Sequence, residues 1–196
     1  MDAPTEPDTL ELAERAASGD TAATARLLRL LAPAMARVVR GVMGPYSADT
    51  DDAMQQALIA LVRALPAFRG ECAPAGYACR IAFRTALALR KAAKVERVRR
   101  DSVADLELVL DTATLPNGSE ARQRTELVRA LLDEIPAAQA EALALRTMLG
   151  WSIEEIAEAS AAPINTVRSR LRLAKEALRE RIQADRSLAE GLGVAP

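Results

Sequence analysis

The side chains best suited to recognition chemistry lie in one stretch near the C-terminus: Asn165, Thr166, Arg168, Ser169, Arg170, Arg172 and Lys175. A guanidinium can donate a pair of hydrogen bonds to a guanine edge and an Asn amide can pair with adenine, whereas Lys175 and Thr166 suit phosphates. Ile164, Val167 and Leu171 are interleaved with them at helical spacing, so the polar set projects away from an apolar stripe. Other chemistries lack their parts. The chain has no histidine, the commonest general base and zinc ligand. It has no Gly-rich phosphate loop, and Glu154 and Glu155 are adjacent on a helix and so point apart. Neither an enzyme nor a metal or other cofactor is expected.

The elements that position this stretch are short. Ser152 and Glu155 form a capping-box pattern that starts a small helix through Ile153, Ile156 and Ala157. A tight turn at Ser160, Ala161 and Ala162 follows, and Pro163 opens the final helix, which carries Ile164, Val167, Leu171, Ala174 and Leu178. Two short helices across a tight turn, the second one basic, fit a helix-turn-helix whose second helix enters the major groove. A solvated basic face of a bundle would carry the same charges; the tight turn and the apolar spacing favour DNA. Upstream, Leu127, Val128, Leu131 and Leu132 make a stripe ending at Ile135 and Pro136, and a further helix runs from Ala137 to Leu149 with Gly150 beyond it.

The first half of the chain is also helical. Thr9 to about Ser18 suits a short helix, and Asp20 caps a longer one with Leu27, Leu28, Leu31, Met35, Val38, Val39 and Val42 on one face. Asp49 to Asp52 then precede a stripe of Met54, Ala57, Leu58, Leu61, Val62 and Leu65, stopped by Pro66. After the loop from Phe68 to Pro74, a fourth helix carries Arg80, Arg84, Arg90, Lys91, Lys94, Arg97, Arg99 and Arg100 against a lone Glu96, with Ile81, Ala82, Thr85, Ala88 and Leu89 facing inward. Residues 101–120 reverse the charge with Asp101, Asp105, Glu107, Asp111 and Glu120, and Pro116, Asn117 and Gly118 break any helix: an acidic linker.

The 196 residues are half apolar yet only 3% aromatic, with a net charge of −1. Ala and Leu dominate and β-branched runs of strand length are missing, which implies an all-α chain of two small bundles. Near-neutral charge excludes a wholly basic nucleic-acid coat protein. Cys72 and Cys79 read as small apolar residues in a reducing compartment. No leader-like segment opens the chain and no apolar run approaches membrane-spanning length, so a soluble, cytoplasmic protein without membrane contact of its own is expected.

Residues 135–181 resemble region 4 of the extracytoplasmic-function (ECF) sigma factors. The family pattern stands here as Ile135 and Pro136, Gln139, Gly150 and Trp151, Glu154-Glu155-Ile156-Ala157, and Thr166-Val167-Arg168-Ser169-Arg170-Leu171. The first half resembles region 2 of the same family, through Gly19-Asp20 followed by Ala22 and Ala23, through Asp52-Ala53-Met54-Gln55-Gln56-Ala57-Leu58, and through Ile81-Ala82. It departs where the family has Trp (Tyr77), Asn (Arg84), and a Glu and Phe on the clamp-binding helix (Gln56, Leu58).

The resemblance implies an alternative sigma factor that binds core RNA polymerase and directs promoter-specific initiation. It divides the chain into region 2 at 8–100, the linker at 101–121 and region 4 at 122–186. Asn165, Thr166, Arg168, Ser169, Arg170, Arg172 and Lys175 would bind the upstream (−35) element. Phe68 and Arg69, in a loop lining the pocket for an extruded base, would join Tyr77, Arg80, Arg84, Arg90, Lys91 and Lys94 at the downstream (−10) element. Asp52, Gln55 and Gln56 would meet polymerase, and the free protein would be a monomer held by an anti-sigma factor. Charge order along the chain, apart from the resemblance, suggests that the linker acids compete with DNA for the basic faces. The alternatives are a sigma-like regulator or decoy that opens no promoter, and a stand-alone helix-turn-helix repressor; the latter leaves the clamp-like helix unexplained.

Overall fold

Helix α1 (Glu6–Ala17) ends at Gly19, whose φ of 96° lets the chain turn directly into α2 (Thr21–Met43). Asp20 caps α2 by accepting the Ala23 N–H at 2.9 Å, and the Arg15 guanidinium grips the same carboxylate at 2.7 Å. The Ala23 N–H first, and Arg15 second, hold the Asp20 carboxyl below the usual range. Leu27, Leu31, Met35, Val38, Val39 and Val42 are all buried, the single stripe that their spacing predicts, and the helix runs on through Pro33. These elements come from a computed structural model that describes residues 6–44, 47–103, 127 and 129–185.

Helix α3 (Thr50–Ala64) closes in a 3-10 turn at Leu65–Ala67, and α4 spans Pro74–Val103. Helix α2 packs against α1, α3 and α4, and the core between them is rich in alanine. The buried line on α3 is Ala53, Ala57 and Leu61, continued by Leu65 of the 3-10 turn, four residues apart throughout. Two alanines on that line let α3 lie close to its neighbours and turn it so that Val62, expected on the inward stripe, is 41% exposed. The inner face of helix α4 is also displaced from the one its spacing predicts. It buries Ala78, Cys79, Ala82, Phe83, Ala86 and Leu87, while Ala88 is exposed and Ile81, Thr85 and Leu89 are half-buried. Phe83 and Leu87 are the larger apolar side chains and take the inner face.

Residues 129–134 are helical and place Leu131 and Leu132 in the interior, followed by the buried Ile135. Helices α5 (Ala137–Met148), α6 (Ile153–Ala159) and α7 (Ile164–Ala184) pack on one another around Leu145, Ile156 and Val167. Pro163 is the cap of α7 and its carbonyl accepts the first helical N–H groups, from Thr166 at 2.8 Å and Val167 at 3.1 Å. Helix α4 continues to Val103, past the Asp101 at which the linker was expected to begin; the rest of that linker lies outside the described residues.

The two helical units meet face to face. Helix α4 packs against α5 and α6, and α2 against α5. Gly76 on α4 makes a close approach: a Cβ placed there would stand 2.9 Å from Ala159 Cβ on α6 and 3.6 Å from the Trp151 ring.

Candidate nucleic-acid interfaces

Helix α6 starts on a complete capping box. The Glu155 N–H donates to Ser152 Oγ at 3.0 Å, and the Ser152 N–H donates to the Glu155 carboxylate at 2.6 Å. The Ser152 backbone N–H first, and the Ser152 side chain second, hold the Glu155 carboxyl below the usual range. The turn after α6 is tight because Ala161 adopts φ of 45°, a left-handed conformation unusual for a residue with a Cβ, while the Ala162 N–H returns to Ala157 O at 3.0 Å. Helix α7 therefore leaves the turn with its register fixed.

Val167, Leu171 and Ala174 anchor α7 inward. Asn165, Arg168, Ser169, Arg172 and Lys175 are exposed on the other side, with Thr166 and Arg170 half-buried at its margins. Arg168 leans on Asn165 Oδ1 at 3.4 Å, and Arg172 pairs with Glu176 at 2.7 Å across one helical turn. An exposed i,i+4 pair of this kind is worth about 0.3–0.5 kcal/mol, so a phosphate or base edge can displace it. The whole C-terminal set is thus assembled on one accessible surface.

The expected downstream set is dispersed. Phe68 and Tyr77 pack on each other with ring centroids 5.1 Å apart, and the Tyr77 hydroxyl donates to Ala64 O at 3.1 Å. Both rings are half-buried and brace the loop, while Arg69 is exposed upon it. Arg80 and Arg84 converge on Glu141 of α5: Arg80 Nε donates to Oε1 at 2.9 Å, and Arg84 donates to Oε2 through Nε at 3.1 Å and through its terminal nitrogen at 3.0 Å. Arg80 also donates to Ala159 O. Arg90 pairs with Asp133 at 2.8 Å and donates to Val42 O at 2.9 Å and to Arg129 O. Lys91 is half-buried and Lys94 exposed.

A Sigma-70 region 2 family profile matches residues 27–95, and a Sigma-70 region 4 profile matches residues 125–178. The ECF RNA polymerase sigma-E factor of Escherichia coli K12 is 30% identical over 186 residues, covering 88% of this chain and 93% of the relative. That of Haemophilus influenzae is 31% identical over 181 residues, covering 88% and 94%. The chain belongs to the ECF sigma factors. A solved structure of CnrH in complex with the cytosolic domain of CnrY shares the fold, with a TM-score of 0.53, 23% identity and coverage of 90% of this chain and 98% of that one.

As an ECF sigma factor, the protein binds core RNA polymerase and promoter DNA and directs transcription initiation. Sigma factors as a family are non-enzymatic initiation factors that work beside polymerase, and among the described residues of this one no helix is long and apolar enough to cross a membrane. On region 2, Asp52, Gln55 and Gln56 are exposed on α3, where Gln56 donates to Asp52 at 2.8 Å. Ile59 and Val62 extend that strip and are exposed too. Sequence reasoning missed Ile59; its position four residues after Gln55 was the available signal. It also missed Glu141 and Asp133, although a single carboxylate in the Ala-Leu helix α5 marks a buried charge in need of a cation.

Proposed function

We propose that the two units divide promoter recognition and that each holds its own piece. Region 4, residues 122–186, reads the upstream element as duplex through α7, with Arg168, Arg172 and Asn165 toward base edges and Thr166, Ser169, Arg170 and Lys175 toward phosphates. The observation that carries this reading is the exposed polar face of α7 set directly behind a tight turn and opposite the fully buried Val167. The N-terminal part of the second helix of a helix-turn-helix is the part that meets base edges.

Region 2, residues 8–100, docks on polymerase through Asp52, Gln55, Gln56, Ile59 and Val62, and engages the downstream element. Arg80, Arg84, Arg90, Lys91 and Lys94 contact phosphates there, Arg69 reaches the strand from its loop, and Phe68 and Tyr77 hold that loop in shape. Residues 101–121 tether the units, so that each bound site raises the effective concentration of the other. The protein acts in the cytoplasm, as a monomer when free, without catalysis or cofactor of its own, and an anti-sigma partner of the kind the family resemblance implies restrains it.

Transcription by purified core polymerase across a library of promoter fragments tests the reading. Specific transcripts dependent on the protein are expected. Arg168→Ala should cost about 1–3 kcal/mol at one upstream position, as loss of a bidentate base contact does. Lys175→Ala should weaken all promoters alike and lower the salt slope by about one. Unchanged promoter selection in Arg168→Ala would move base readout elsewhere.

A further inference from the structure

The arginines assigned above to the downstream phosphates are already occupied, and their partners come from region 4. Glu141 is the central one. Its side chain is only 6% exposed, and both of its oxygens are engaged, one by Arg80 and the other by Arg84. A carboxylate whose two oxygens are each held by a guanidinium presents to those arginines what a phosphate would present. Asp133 meets Arg90 through its Oδ1 alone, which faces both the Nε and a terminal nitrogen of the guanidinium, and both members of that pair are nearly covered.

Backbone groups complete the seal in both directions. Arg80 and Arg90 of region 2 donate to Ala159 O and Arg129 O of region 4, while Arg129 donates back to Gly41 O at 2.8 Å. Gly76 lies against Ala159 so closely that no side chain fits between. The recognition face of α7 takes no part in this contact and stays exposed.

We infer that Glu141 and Asp133 form an intramolecular latch: they stand in for DNA phosphate on Arg80, Arg84 and Arg90 and hold the free sigma factor closed, with Arg80 and Arg90 nearly covered and Arg84 engaged at the exposed margin of the contact. This rests on the phosphate role given to those arginines under Proposed function. Dimensions require that the latch open in use. Elements centred about 25 base pairs apart lie roughly 85 Å apart along the duplex. A chain of 196 residues folded as one body has a radius of gyration of about 16 Å and a diameter of roughly 40 Å. The closed chain reaches one element at a time. Opening exposes the basic face at the moment when region 2 and region 4 part to occupy both.

The test uses the full chain with Glu141→Gln and Asp133→Asn together, changes that remove charge but keep shape. Small-angle scattering reads closure, and binding to a mixed-sequence single-stranded DNA oligonucleotide reads access to the arginines. Far-UV circular dichroism should be unchanged. The radius of gyration should rise by several ångströms and DNA affinity about tenfold. An unchanged radius overturns the latch, whatever the affinity does. A larger radius without tighter DNA binding upholds the latch and overturns the phosphate role of the arginines, so the two readings fail separately.

Discussion

Gly76→Ala is the smallest change that tests closure by shape alone. The new methyl carbon would stand 2.9 Å from Ala159 Cβ, where ordinary contact begins at 3.4 Å. Neither atom lies at the end of a flexible side chain, so α4 and α6 must part by roughly 0.5–1 Å; overpacking of this sort typically costs about 1–3 kcal/mol. The shift reaches the neighbouring bonds, because Arg80 spans the same gap to Ala159 O and reaches Glu141 of the adjoining α5 at 2.9 Å, and an ångström more weakens the first and strains the second. Within region 2 the sign is opposite, since Gly to Ala in a helix gains up to about 1 kcal/mol. The expected result is a more open chain whose region 2 is no less stable. Fluorescence energy transfer between labels on Gln55→Cys and Gln183→Cys, with Cys72 and Cys79 replaced by alanine, would fall, and the region 2 unfolding midpoint would hold or rise. Adding Ala159→Gly removes the opposing methyl and should restore transfer. A Gly76→Ala chain that stays closed, or one that Ala159→Gly cannot re-close, refutes the reasoning.

Four further outcomes follow from local structure. Ser152→Ala removes the hydroxyl that accepts the Glu155 N–H, leaving the backbone N–H of residue 152 to the Glu155 carboxylate, and should lower the stability of region 4 by about 1 kcal/mol, read by thermal unfolding. Because the Glu155 carboxyl is held below its usual range, its contribution is present at neutral pH and is lost as pH falls through its lowered folded value; Glu155→Gln should flatten that part of the acid stability profile. Burial pushes the Cys79 thiol up to about 11, so iodoacetamide at pH 8 should modify it only as fast as the chain unfolds, and rapid labelling of folded protein would contradict its placement. Ile59→Ser with Val62→Ser should weaken binding to core polymerase without lowering the melting temperature, since both side chains are exposed in the free protein.

The helices and the recognition face were legible because their causes are local. Asp20, Ser152 and the glycines at 19, 44 and 150 carry start and stop signals within a turn of where they act, and the spacing of Leu27, Leu31, Met35 and Val38 survives into the core unchanged. Periodicity identified α3 and α4 but misplaced their inner faces, because it weighs Val62 or Ala88 without asking which neighbour is largest or how close alanine lets two helices come. The latch was not legible. Arg90 meets Asp133 from 43 positions away and Arg84 meets Glu141 from 57, and polar pairs at such separations leave no periodic trace. The basic run on α4 was read from the sequence, and the linker acids expected to screen it lie outside the described residues; the acids that Arg80, Arg84 and Arg90 meet among the described residues are Glu141 and Asp133.

Closure by charge pairing gives this sigma factor a particular kind of control. A buried pair owes little net stability to its own attraction, because desolvation offsets most of it, yet breaking it with one partner left behind is costly. Arg80 and Arg90 are left in that state if the units slide apart slightly, whereas full separation returns every charge to water or to DNA. The contact therefore favours two end states, shut or open, over a range of partly open ones. Polymerase and promoter select the open end, and apparent affinity is reduced by the open fraction. A partner that shields α7 from duplex DNA, or that bridges the two units, needs only a small differential affinity for the closed end to hold the factor idle. Changes at Glu141 or Asp133 should consequently alter the threshold for activation more than the choice of promoter, which stays with α7.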